Sequence, residues 1–154
     1  MKVEKQGDAV VATLEIAAAP EAVFEALIDP SQLVAWWGTP GDYQTENWQV
    51  DARAGGKWSC DVRGPQDSTP KTIHGVYEEF DPPRVLAFTW NPVWQQIPET
   101  RVRITLEPTA TGTLLRLVHS GFGDHREAQE RHFQGWTRVL GWLDRFCQAK
   151  VSGK

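Results

Sequence analysis

TRVRITLEPTATGTLLRLVHSGFGDHREAQERHFQGWTRVLGWLDRFCQA, residues 100–149, changes its hydrophobic period once. Over 100–108 the apolar residues alternate, with Val102, Ile104 and Leu106 on one face and Arg101, Arg103 and Thr105 on the other. Residues 113–120 repeat the pattern with Leu115, Leu117 and His119 together. A period of two marks half-buried strands, and the intervening TATG reads as a turn. From residue 125 the step becomes three and four. Phe133, Trp136, Leu140, Leu143 and Cys147 form a stripe that Val139, Trp142 and Phe146 widen. The spacing predicts a helix over 125–149 with Asp124 as its N-cap. An apolar face of that length must lie against a large surface, and the strands before it supply one.

Further strands precede these. RVLAFTW (84–90) puts Leu86, Phe88 and Trp90 on one face, and KWSCDV (57–62) groups Trp58, Cys60 and Val62. NWQVDA (47–52) alternates through Trp48 and Val50, and Gly55-Gly56 turns the chain. KTIHGVYEEF (71–80) is a strand of ambiguous facing, because both parities hold apolar residues. RGPQDSTP (63–70), Asp81-Pro82-Pro83 and NPVWQQIP (91–98) read as connections. Near the N-terminus AVVATLEI (9–16) alternates, and AAPEAVFEALIDP then takes a helical period that Pro20 opens and Asp29-Pro30 ends. A second short helix, Ser31 to Trp36, follows with Ser31 as its cap. The predicted order is strand, helix pair, six strands, long helix. Consecutive short strands imply an antiparallel meander with helices on one face, an α+β fold.

At 154 residues one domain spanning 1–154 is expected, able to bury roughly 70% of the surface its unfolded form exposes. The net charge of −4 excludes the basic face that a nucleic-acid binder needs. No apolar run approaches the roughly 18 residues of a membrane span. Two distant cysteines, Cys60 and Cys147, suggest reduced thiols in a cytoplasm rather than a disulfide scaffold. Eight tryptophans against two tyrosines are more than a close-packed core of this size needs, so some are expected to line a cleft.

Several short stretches together resemble the activator of heat-shock protein ninety ATPase homologue family. They are Trp36-Trp37-Gly38, Gly55-Gly56, Gly75-Val76-Tyr77, Asp81 to Leu86 running into Thr89-Trp90, Gly112-Thr113, His119 to Phe122, and Gly135-Trp136. The resemblance covers roughly residues 8 to 148 and places the chain in the START-like superfamily, which includes the birch-pollen-allergen fold, polyketide cyclases and lipid-transfer domains. It implies a helix-grip fold, with a curved antiparallel sheet wrapped around the long C-terminal helix and a hydrophobic cavity between them. It also implies a chaperone as one partner class.

On such a fold Trp58, Phe88, Trp90, Trp136 and Phe122 are expected to face inward, either as flat walls for a planar ligand or as plain core. Trp36, Trp37 and Trp94 lie in or beside loops and are assigned to the cavity mouth. His119 ends the last strand on its inward face, and His74 sits on the ambiguous one. Either can orient a ligand or act as a general base, or simply hydrogen-bond to backbone. His125 and His132 lie about 10 Å apart along a helix, HExxH is absent, and no metal or cofactor is expected. Cys60 reads as an inert buried thiol, and Glu78, Glu79 and Asp81 as a solvated strand end. The leading expectation is a binder of a small apolar or aromatic molecule. A cyclase- or hydratase-like enzyme using a cavity histidine and a chaperone-associated protein are the alternatives. The outer sheet, with Arg101, Arg103 and Arg116, is left open to homodimer formation.

Overall fold

The computed structural model describes residues 1–67 and 69–153. Two strands come first, β1 (Lys2–Gln6) and β2 (Ala9–Ile16), then two helices, α1 (Pro20–Ile28) and α2 (Pro30–Trp36). Six strands follow: β3 (Gln44–Val50), β4 (Lys57–Arg63), β5 (Lys71–Asp81), β6 (Val85–Pro92), β7 (Thr100–Pro108) and β8 (Thr113–Ser120). The last element is α3 (Arg126–Gly153). The strands form one curved antiparallel sheet in the order β1-β2-β8-β7-β6-β5-β4-β3. The meander from β3 to β8 is therefore the predicted one, closed on its far side by β2 against β8.

Two departures from the expected strands have different physical origins. β1 carries one apolar residue in KVEKQ, so its pairing with β2 leaves no alternation to read. A charged edge strand is a common defence against edge-to-edge pairing. β3 begins at Gln44, three residues earlier than predicted, because a bulge between Glu46 and Gln49 resets its parity. Thr45 faces inward before the bulge, and Trp48 lines the interior after it.

The ambiguity of 71–80 is resolved by a second bulge. Ile73, Gly75 and Tyr77 face inward, with Tyr77 opposite Phe88; the register then shifts so that Glu79 pairs with Ala87 and Phe80 with Leu86. One inserted residue exchanges the faces, as a bulge must in a structure of period two. Both parities are apolar because each serves the inner face on its own side of the bulge. Phe80 then meets Phe24 of α1 edge-on, with ring centroids 5.4 Å apart. The outward Glu78 and Glu79 pair with Arg101 and Arg103 of β7, as a solvated strand end should.

α1 buries Val23, Phe24, Ala26 and Leu27 against the sheet. Asp29, not Ser31, caps α2: its carboxylate accepts the Ser31 N–H at 3.0 Å and the Ser31 hydroxyl at 2.9 Å. The Gln32 and Ser31 hydrogen bonds hold that carboxyl below its ordinary pKa. α3 starts at Arg126, one residue later than predicted, and Gln129 N–H makes a helical bond to the His125 carbonyl. The helix is fixed at both ends. Gln129 Nε2 donates to the Gly7 and Ala9 carbonyls at 2.9 and 3.1 Å, and Lys5 of β1 pairs with Glu130. Near its other end Lys150 bonds Gln32 Oε1 at 2.7 Å. Anchored on the β1–β2 side and on α2, the helix stands off the β3–β5 side of the sheet.

Candidate ligand cavity

Between α3 and strands β3 to β6 lies a cavity of about 250 Å³. Its sheet wall is built by alternation: Trp58, Cys60 and Val62 of β4 share one parity, beside Ile73 of β5 and Trp90 of β6. α3 supplies His132, Gly135, Trp136 and Val139 from one face. Trp94, Gln95, Arg131 and Arg138 also border it; Trp94 is 39% exposed and both arginines are exposed. A smaller hollow of about 20 Å³ continues toward Phe88 and Tyr77, with Trp37, Trp48, Trp58 and Trp90 lining both spaces.

Six tryptophans form one connected cluster. Trp37 stacks on Trp36 at 5.1 Å and lies 5.8 Å from Trp136; Trp90 lies 5.8 Å from Trp58 and 5.7 Å from Trp136; Trp48 lies 6.2 Å from Trp58. A buried indole needs a partner for its N–H. Trp36 donates to the Ala26 carbonyl at 2.8 Å, Trp37 to the Tyr43 hydroxyl at 3.1 Å, and Trp48 to Thr45 Oγ1 at 2.9 Å. Trp90 and Trp136 donate to His132 Nε2 at 3.1 Å and His119 Nδ1 at 2.9 Å. Gly38 makes the turn that carries the chain from α2 toward β3: its φ is +125°, and a Cβ there would meet the Tyr43 carbonyl at 2.7 Å.

The two tryptophan–histidine bonds fix both imidazole tautomers. An indole nitrogen only donates, so His119 Nδ1 accepts and its proton sits on Nε2, 2.7 Å from Thr100 Oγ1. The Thr100 hydroxyl in turn donates a hydrogen bond to the Trp90 carbonyl at 3.3 Å. His132 Nε2 accepts from Trp90, so its Nδ1 donates to the Ala128 carbonyl at 2.7 Å. Both rings are neutral. Burial pushes the His119 pKa well below its ordinary value, helped by the nearby His132, and burial lowers that of His132.

These placements correct the expectations for His74, His119, Phe122, Trp36 and Trp37. His74 is exposed on the outer face, because Ile73 and Gly75 set the inward parity of β5. His119 points inward but sits behind the cavity wall, fully buried, with both ring nitrogens engaged, so it braces Trp136 rather than meeting solvent or ligand. Phe122, also fully buried, lies behind it with its ring tilted by 44° and centroids 4.6 Å apart. Trp36 is 3% exposed and packs under α1, away from the mouth. Trp37 belongs to the wall, Trp94 stands at the edge, and Phe88 lines the smaller hollow; Trp58, Trp90 and Trp136 line the main cavity. Sequence reading passed over Tyr43 and Gln95, and weighed His132 only with His125 as a metal ligand, not as a cavity residue. His132 had a legible signal, lying four residues before Trp136 on the helix.

The lining is chemically quiet. Burial pushes the Tyr43 hydroxyl and the Cys60 thiol each up to about 12, so neither ionises near neutrality. With His132 neutral as well, the interior offers flat apolar walls and a few uncharged polar atoms, while the cations lie at the border.

No helix among the described residues is long and apolar enough to cross a membrane. Solved structures of the same fold include protein CV1439 from Chromobacterium violaceum, 24% identical, with a TM-score of 0.82 over 92% of this chain and 98% of that one. The AHSA1 (SPO3351) protein from Silicibacter pomeroyi is 29% identical, with a TM-score of 0.75 over 89% of this chain and 95% of that one. An AHSA1-like protein from Aeromonas hydrophila, 20% identical, gives 0.75 over 94% of both chains. No curated protein matches. The sequence profile of the Activator of Hsp90 ATPase homolog 1-like protein family matches residues 17–148, and the chain belongs to that family.

Proposed function

We propose that this protein binds a small aromatic or apolar molecule in the cavity between α3 and the β3–β6 half of the sheet. The observation that carries this reading is Gly135. It lies within a 28-residue helix, on the stretch that lines the cavity, and a Cβ built on it would have no neighbour within 4 Å. Glycine in a helix interior costs about 1 kcal/mol relative to alanine. Here that residue widens a space instead of permitting a close contact. A cavity of about 150 Å³ is enough for benzene in an engineered protein, so 250 Å³ suits one substituted ring or two fused rings. The neutral lining favours holding a ligand over acid–base chemistry. Two buried, unpaired cysteines fit a reducing cytoplasm.

Gly135→Leu tests the reading, because it adds volume at the cavity while favouring the helix. Tryptophan fluorescence titrations with naphthalene and decanoate should give saturable binding in the parent protein. The variant should bind at least tenfold more weakly with an undiminished thermal midpoint. A parent protein that binds neither probe, or a variant that binds as well as the parent, refutes it.

A further inference from the structure

We infer that the molecule held in the cavity carries an anionic head group such as a carboxylate, with its apolar body among the indoles and its charge at the border between Arg131 and Arg138. This rests on the binding reading above and adds the charge of the ligand. The chain as a whole has 20 acidic residues against 16 lysines and arginines. Its cavity reverses that balance: the charged residues lining it are Arg131 and Arg138, and among the described residues no aspartate or glutamate lines it. The two side chains are 54% and 46% exposed, so their guanidinium groups are within reach of a ligand entering from solvent.

One stretch of α3 sets this arrangement. Arg131 lies four residues before Gly135 and Arg138 three residues after it, so all three share a helix face, with roughly one turn on either side of the glycine. Gly135 puts no side chain between them, and space is open where its Cβ would stand. The two arginines therefore flank a gap in the helix surface at the cavity border, about 10 Å apart along the axis. Their carboxylate partners are weak competitors for that gap. Arg131 meets Glu127 Oε1 at 3.2 Å through one nitrogen, and the Glu127 side chain is 94% exposed; Arg138 Nε approaches Asp42 at 3.3 Å. A guanidinium carries five N–H donors, so each arginine keeps donors for a second anion. An acid bound this way leaves its charge hydrated at the edge and avoids the large penalty of a fully buried ion. A cationic head group would meet two like charges in the same place.

Two acids and their neutral amides separate the outcomes: 2-naphthoate with 2-naphthamide, and decanoate with decanamide, titrated into the intact protein by calorimetry. The pair that binds identifies the body as ring or chain. In that pair the acid should bind about tenfold or more tighter than its amide at low ionic strength, since hydrogen bonds to a charged group contribute more than neutral ones. Arg131→Gln combined with Arg138→Gln should shrink the preference to about twofold or less while the amide binds as before. An amide that binds as tightly as its acid, or a preference undiminished in the double variant, overturns this inference and leaves the binding reading standing. Failure of all four probes, and of naphthalene, to bind removes both.

Discussion

Lowering the pH should destabilise this protein well before its carboxylates titrate, and the His119–His132 pair sets the size of the effect. Both rings are held neutral, with pKa values below the ordinary 6.5. Below pH 6.5 the unfolded chain takes up protons that the native state refuses. The stability these rings contribute is therefore whole above pH 6.5 and declines as pH falls from there toward the folded-state values. For a ring that stays neutral in the native state, the loss between pH 7.5 and 5.0 is about 2 kcal/mol, and His132 adds to it in the same direction. Protonating His119 on Nδ1 would also set an N–H against the Trp136 N–H, breaking the bond that positions that wall residue. The carboxylates with lowered pKa, Asp29, Asp67, Glu79 and Glu130, act only at and below their ordinary 3.8–4.5 and are exposed to solvent screening. Urea unfolding at pH 7.5, 6.5, 5.5 and 5.0 measures the decline. His119→Asn, which keeps an acceptor near Nδ1, should be less stable at pH 7.5 yet lose about 2 kcal/mol less over the same interval. A flat profile in the parent protein, or an identical slope in the variant, would show that His119 is not held neutral.

Two glycines give opposite expectations. Gly135→Ala should raise stability by up to about 1 kcal/mol, read as a thermal midpoint roughly 2–4 °C higher, since the added methyl meets nothing. A lowered midpoint would mean that the space is filled. Gly75→Ala should cost about 1–3 kcal/mol in urea unfolding, because its Cβ would collide with the Thr89 backbone and the Trp58 indole. Unchanged stability would mean that β5 and Trp58 lie further apart than described.

The strands that read clearly in the sequence are those whose inner face never changes parity: β2, β4, β6, β7 and β8. β3 was read from 47 instead of 44, and the facing of β5 stayed ambiguous, because each contains a bulge, and a bulge leaves no fixed residue type in the sequence. β1 was invisible because its stability comes from pairing with β2 and from Lys5 meeting Glu130, not from an apolar face. In the site, Trp58, Trp90 and Trp136 were legible from periodicity alone. His74 was misplaced because its strand's parity depends on Gly75, whose role appears only when the Trp58 ring is seen above it. Gln95 could not be found in this way, since a loop residue joins the cavity through the path of the chain, which periodicity does not encode.

The helix anchors lie on one side of the molecule and the hollow on the other. Gln129 and Lys5 tie α3 to the β1–β2 hairpin, and none of the groups in that attachment lines the hollow. Side chains of β4, β5 and the 94–95 loop are thus free to diverge among homologues without loosening the attachment. On the binding reading proposed above, a handful of substitutions there would change the ligand and keep the same scaffold.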